Sequence, residues 1–221
     1  MITPLQIFGL IVSYLMGSIP SAVWIGKFFY KIDVREHGSG NSGATNTFRV
    51  LGKRAGLPVL LIDIFKGWSA SNLAYFISIE SPGSRGYTEM QIAFGIAALI
   101  GHVFPVLAAF RGGKGIATLL GVMLAIHPAS ALVSVGVFAL VFFAFKYVSL
   151  ASILAASSIP LSLMFIFPAH VPSLVLFGFF ATLMVIITHQ KNIERLVRKQ
   201  ESKVILGKKN NTASEEVEAT S

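Results

Sequence analysis

Charge is missing from this chain over long unbroken stretches, and no other feature of the sequence constrains its fold as tightly. Residues 1–26, 67–79, 90–110, 115–145 and 147–190 contain no Asp, Glu, Lys or Arg. About 20 mainly apolar residues are enough for a helix to cross the hydrocarbon of a bilayer. In lipid every backbone N–H and C=O must find its partner within the fold, which helices achieve alone. The stretches therefore predict an all-α, polytopic integral membrane bundle. Composition points the same way: 54% of residues are hydrophobic and 13% charged, where soluble domains carry about 25% charged residues. Cysteine is absent, which excludes a disulfide framework and thiolate metal sites. A formal charge of +8 would suit nucleic acid in a soluble protein, but in a membrane chain it reports topology. No nucleic-acid partner is expected.

Residues 1–26 lack the basic start of a secretory signal peptide and read as one retained helix. The second stretch extends back through Leu57–Leu61 if it tolerates Asp63 and Lys66, which stand at i and i+3 and can pair. Residues 90–110 read as one helix. Residues 147–190 are too long for one and divide at Phe167-Pro168-Ala169-His170-Val171-Pro172. Residues 115–145 are broken by His127-Pro128, and their first half is short for a span, so a tilted short span and a re-entrant segment both remain open.

Basic residues favour about seven transmembrane helices, with the N-terminus outside and the C-terminus cytoplasmic. That threading places Lys27, Lys31, Arg35, Arg49, Lys53, Arg54, Arg111, Lys114, Lys146 and the basic group from Lys191 onward on the cytoplasmic side. Only Arg85 falls outside, with Lys66 inside a helix. Six spans would place Lys146 or the basic tail outside. Residues 1–203 then form a single transmembrane catalytic domain, and residues 204–221, polar and without apolar period from Lys208 onward, read as a disordered cytoplasmic tail. Asn210-Asn211-Thr212 in that tail is a chance glycosylation sequon.

Polar residues near a bilayer are costly and tend to mark function; here they gather in three islands. The first is His37-Gly38-Ser39-Gly40-Asn41-Ser42-Gly43-Ala44-Thr45-Asn46-Thr47-Phe48-Arg49. It reads either as a flexible connection or as a cradle of backbone N–H groups for an anion, with Arg49 able to grip a phosphate. The interleaved Asn and Thr and the nearby Arg favour the cradle. The second runs from Gly101-His102 through Phe110-Arg111-Gly112-Gly113-Lys114-Gly115. Glycines around Lys114 at a helix start suit an anion, although a tight turn with a snorkelling lysine has the same pattern. The spacing is not that of a Walker A loop. His102 reads as a hydrogen-bonded structural histidine. The third island is His189-Gln190-Lys191-Asn192-Ile193-Glu194-Arg195 followed by Glu201-Ser202-Lys203, with His189 and Asn192 on one helix face. Alone, it reads more readily as a basic membrane exit.

Together the three islands resemble the bacterial membrane acyltransferases that use acyl phosphate to acylate glycerol 3-phosphate. The resemblance runs from Gly17-Ser18-Ile19-Pro20-Ser21 to Glu201, with the motifs in order at matching spacing. It implies catalytic roles for Ser39, Arg49, Lys114, His189, Asn192 and Glu201. It also implies substrate or phosphate contacts from Gly38, Gly40, Asn41, Gly43, Thr45, Asn46, Arg111, Gly112, Gly113 and Gly115. Lys66 is added as a further phosphate contact. Arg111 stands where the family carries Lys, and Lys199 stands where the third motif carries Gly, which puts the turn leading to Glu201 in question.

The implied reaction moves a fatty acyl group from acyl phosphate to the 1-hydroxyl of glycerol 3-phosphate. It gives 1-acyl-glycerol 3-phosphate, a lysophosphatidic acid, and inorganic phosphate, with no cofactor and no metal. The implied partners are the two substrates and membrane lipid, at the cytoplasmic face of a bacterial inner membrane. Base candidates are His189 and the donor's own phosphate. None of His37, His102, His127, His170 and His189 is followed five residues later by Asp, which argues against the acyltransferase class built on a His–Asp pair. A transporter for an organic phosphate is the rival, but such folds place sites near the midplane between related halves. Here the islands gather at one face and no repeat is visible.

Overall fold

The computed structural model describes residues 2–204, so the expected tail beyond Val204 lies outside the described residues. Those residues fold into helices α1 Pro4–Gly17, α2 Ser21–Tyr30, α3 Ala44–Leu51, α4 Lys53–Asn72, α5 Ala74–Ile77, α6 Arg85–Val103, α7 Ile116–Ile126, α8 Pro128–Phe145, α9 Val148–Leu161, α10 Pro172–Thr188 and α11 Gln190–Val197, with no strand among them. Of these, α6 with its extension to Ala108, α8, and α9 with its extension to Ile166 are each long and apolar enough to cross a membrane. The pairs α1–α2 and α10–α11 pass the same test as bent units, with bends of 42° and 65°.

Proline and polar residues place the breaks. Residues 1–26 do not form one helix, because Pro20 has no N–H to give to the helical ladder and disfavours helical backbone before it. At the break the Ile19 carbonyl accepts from the Ser21 N–H at 3.1 Å and from Lys66 Nζ at 2.9 Å. At His127-Pro128 the chain turns from α7 into α8, with Pro128 in the first helical turn and His127 Nδ1 accepting from the Ser130 N–H at 3.3 Å. α7 has only 11 residues, a rise of about 16 Å. The turn expected over residues 167–172 lies where α9, prolonged by a π-helical turn over Ser162–Ile166, gives way to α10.

Small residues let the helices approach. A Cβ on Gly67 or Gly121 would collide with the backbone of Thr118 or Ile64, which seats α4 against α7. Leu99, Val122, Met123, Ile159, Leu163 and Phe177 fill the space between α6, α7, α9 and α10. Large apolar side chains such as Phe28, Phe65, Leu140, Phe165 and Leu176 point outward instead. That surface is tolerable only against lipid.

Candidate active site

A cavity of about 530 Å³ opens among α3, α4, α7, α8, α9 and α11. One end is polar and cationic, lined by Ser39, Thr45, Arg49, Lys114, His189, Asn192, Arg195 and Glu201. The other is apolar, lined by Leu60, Ile116, Leu119, Leu120, Val135, Phe138, Ala155, Ala156 and Ile159. The three islands, far apart in sequence, therefore meet at one end of one cavity.

The first island is shaped by Asn46. Buried at the start of α3, its Nδ2 donates to the carbonyls of Val34 (2.8 Å) and His37 (3.1 Å). Its Oδ1 accepts from the Ser39 N–H (2.8 Å) and Ser39 Oγ (3.1 Å). Asn46 thus lines the cavity while its side-chain amide holds the loop in shape. Gly38, at φ +62°, lies so close to Asn46 Oδ1 that only glycine fits. Thr45 and Arg49, one helical turn apart on α3, are exposed beside the cavity. Gly38, Asn41 and Gly43 also line it, whereas Gly40 does not.

Two latches tie this island to the second. Arg35 donates to the Ala108 carbonyl (3.0 Å) while its fork grips Asp33, holding that carboxyl well below the usual carboxylate range. Ser42 Oγ donates to the Arg111 carbonyl (3.2 Å). In the second island His102, Lys114 and Gly115 line the cavity. Arg111, Gly112 and Gly113 do not, contrary to expectation. Gly113 donates its N–H to the His102 carbonyl (3.1 Å) and lies over the His102 ring, and Gly112 packs on the carbonyls of His102 and Val103. These glycines allow close packing that delivers Lys114. His102 is buried 3.7 Å from Asp63 Oδ1, with no hydrogen-bond partner at Nδ1, so it is not the bonded histidine the sequence suggested. Lys66 lies apart from this cavity. It forms the expected pair with Asp63 (2.9 Å) but sits buried outside the cavity lining, donating to Asp63 and Ile19. Asp63 also accepts from Ser21 Oγ (2.8 Å).

The third island closes the polar end. His189, at the α10–α11 bend, pairs its Nδ1 with the Val185 carbonyl at 2.8 Å. A carbonyl only accepts, so Nδ1 carries the proton and the neutral ring keeps its lone pair on Nε2. Asn192 Oδ1 accepts from Lys114 Nζ, and its Nδ2 donates to Glu201 Oε1 (2.7 Å). Glu201 also accepts from Ser149 Oγ (2.7 Å) and Arg195 Nε (2.7 Å). Burial alone would raise the Glu201 carboxyl, but the hydrogen bonds from Arg195, Asn192 and Ser149 outweigh it and leave the group below its ordinary value. Arg195 was visible within the third motif but was not singled out. Ser149 sits in the first turn of α9, and nothing in its surroundings marks it.

The turn leading to Glu201 forms without the family glycine. The Lys199 N–H bonds to the Leu196 carbonyl (3.1 Å) and the Gln200 N–H to that of Arg195 (2.7 Å), a Schellman closure with Lys199 at φ +57°. A non-glycine residue pays about 1–2 kcal/mol for that backbone. Lys199→Gly is expected to raise the detergent thermal midpoint by about 2–4 °C with activity intact; an unchanged or lower midpoint would contradict the strain.

Lys114 is pushed down to about 8, chiefly by burial, with the Glu201 charge opposing and Arg195 and Arg49 reinforcing the shift. It is charged below that pH and neutral above it. The value of kcat/KM is therefore expected to fall as pH rises through about 8. Lys114→Arg, which keeps its charge, should remove that limb, and a pH profile of both proteins decides.

The family model described as glycerol-3-phosphate acyltransferase matches residues 7–199. The chain belongs to the glycerol-3-phosphate acyltransferase family. It is 42% identical over 205 residues to a glycerol-3-phosphate acyltransferase of Enterococcus faecalis, covering 90% of this chain and 91% of that one. A Streptococcus sanguinis relative of the same name is 41% identical over 207 residues, covering 91% and 93%. Among solved structures it is similar to the glycerol 3-phosphate form of PlsY (YgiH), an integral membrane glycerol 3-phosphate acyltransferase. That match has a TM-score of 0.81 at 35% identity and covers 90% of this chain and 96% of that one. The lysophosphatidic acid form matches at a TM-score of 0.78. This acyltransferase is thus an integral membrane enzyme of lipid synthesis.

Proposed function

We propose that this chain transfers a fatty acyl group from acyl phosphate to the 1-hydroxyl of glycerol 3-phosphate. The single observation that carries the reading is one cavity with a cationic polar end continuous with an apolar arm. Both substrates bear phosphate, and only the donor and product bear an acyl tail. Arg49, Lys114 and Arg195 are the cations positioned to neutralise phosphate, Arg through its planar fork. Ser39 supplies a hydroxyl donor to a phosphate or to the oxygen of the transferring carbonyl.

In the step itself the hydroxyl oxygen bonds to the acyl carbon while that carbon's bond to the phosphate oxygen breaks. The hydroxyl proton passes to His189 Nε2 or directly to the departing phosphate, which leaves as inorganic phosphate. The donor is already activated, so positioning and charge stabilisation supply most of the acceleration. Nothing beside Ser39 resembles a paired base: its Oγ bonds Asn46. That disfavours a covalent acyl-serine.

The reading includes seven passes, with the N-terminus outside and the C-terminus and site facing the cytoplasm of a bacterial inner membrane. α4, at 20 residues, and the short α7 add to the three long apolar helices and two bent pairs. Cysteine-scanning accessibility at Arg85 and Lys191 from the two sides tests this threading, and labelling of both from one side would refute it.

The reaction is tested with purified protein by phosphate release from palmitoyl phosphate, with and without glycerol 3-phosphate, and with palmitoyl-CoA as rival donor. Release that needs glycerol 3-phosphate, no ester from palmitoyl-CoA, and a loss of about 10²-fold or more in Arg49→Ala are expected. Ester formation from palmitoyl-CoA alone would overturn the donor.

A further inference from the structure

The apolar arm of the cavity has a measurable depth and a built end. α8 and α9 form a tight hairpin around Lys146 and Tyr147. Along α9, Ser149 marks the polar end through its bond to Glu201, and Ile159, ten residues on, is the last residue of that helix in the lining. Along α8 the last is Ser134, eleven residues back from Phe145. Ser134 is eleven residues from Phe145 and Ile159 eleven from Val148, so both lie about 16–17 Å along their helices from the hairpin turn. They therefore face the same level of the arm.

Below that level the space closes. Ser162 Oγ donates to Ser130 Oγ at 2.9 Å, joining the end of α9 to the start of α8, and both serines are fully buried. Leu163 fills the remaining gap at 1% exposure. Ser134 Oγ donates to the Ala131 carbonyl at 2.8 Å, which fixes its side chain at the floor. A longer chain would have to break a buried hydroxyl pair and gain nothing from contact with it. The depth is also about half the 30 Å hydrocarbon thickness of a bilayer, the length of one membrane acyl chain.

Resting on the acyl-phosphate reading above, we propose that Ser134 and Ile159 form the floor of the acyl groove and set the longest chain the enzyme accepts. Residues nearer the polar end, such as Val148 and Ala155, touch an acyl chain of any length and cannot discriminate. Only the floor meets the terminal carbons of a long chain and leaves a short one untouched. The preferred donor is accordingly one with a chain of membrane-lipid length.

The experiment compares kcat/KM for lauroyl, palmitoyl and stearoyl phosphate, at saturating glycerol 3-phosphate in one fixed micelle composition. Ser134→Leu is expected to lower the palmitoyl-to-lauroyl ratio by about tenfold or more, since one misplaced methylene in an apolar pocket is discriminated on that scale. Ile159→Ala, which deepens the arm, is expected to raise the stearoyl-to-palmitoyl ratio several-fold. Each ratio is taken within one protein preparation, so a partly unfolded variant does not distort it, and the two variants move preference in opposite directions. If both ratios stay within twofold of the parent protein while the parent turns over acyl phosphate, the floor assignment is wrong and the donor reading stands. If the parent turns over none of the three donors, the donor reading falls and the floor assignment falls with it.

Discussion

Glu201→Ala is expected to lower kcat/KM by about 10²–10³-fold, the loss that follows truncation of one partner in a buried, hydrogen-bonded charge cluster. The carboxylate accepts from Ser149 on α9 and from Asn192 and Arg195 on α11. Its removal frees the Asn192 amide to turn, and Lys114, which Asn192 holds, loses its aim. Arg195 would then lose its carboxylate partner. Glu201→Gln preserves size but replaces one acceptor oxygen by a donor facing a donor, so it should recover only part of the loss. Asn192→Ala combined with Glu201→Ala is expected to cost little more than either alone, since both act on Lys114 through one network. The check is steady-state kinetics on the four variants and the parent, with thermal melting to establish folding. Full activity in Glu201→Ala, or clean additivity in the double variant, would show that the network does not position Lys114.

The helices were legible in the sequence because lipid imposes a rule that a chain cannot hide. A span must be long and nearly free of charge, and residues 90–110 and 147–190 announce theirs. Local chemistry also read well where it acts within a few residues: Asp63 and Lys66 pair as spacing requires, and Pro128 and Pro172 each open a helix. Pro20 was equally readable as a break but was absorbed into a single apolar stretch. The three motifs gather at one cavity end, yet residue types could not disclose which polar atoms are already engaged. Asn46 and Gly113 look like anion contacts in a linear sequence. In three dimensions the Asn46 amide and the Gly113 N–H are spent on neighbouring carbonyls. The decisive bonds join residues 78 apart, Lys114 to Asn192, and 52 apart, Ser149 to Glu201. No spacing rule reaches that far. Lys199 shows the converse case: the glycine of the motif is missing, but a cost of about 1–2 kcal/mol for left-handed backbone is small beside the three hydrogen bonds that hold Glu201 beyond the turn.

Gly112→Ala should be nearly as damaging as loss of the Glu201 network, through a different cause. A Cβ at residue 112 would overlap the backbone carbonyl oxygens of His102 and Val103 and press on Pro105 Cδ, at 2.6 Å. Carbonyls at the end of α6 cannot rotate aside as a flexible side chain would, so the segment carrying Gly113, Lys114 and Gly115 must lift. A displacement of about 1 Å at a positioned catalytic group costs about 10²-fold, and overpacking adds about 1–3 kcal/mol of destabilisation. The loss should appear mainly as a raised KM for the phosphate substrates, since Lys114 is moved rather than removed. Gly136, on α8, offers the comparison, because a Cβ there meets nothing within 4 Å. Gly136→Ala should leave KM unaltered under the same assay. If Gly112→Ala keeps the parent KM, Lys114 does not depend on this packing.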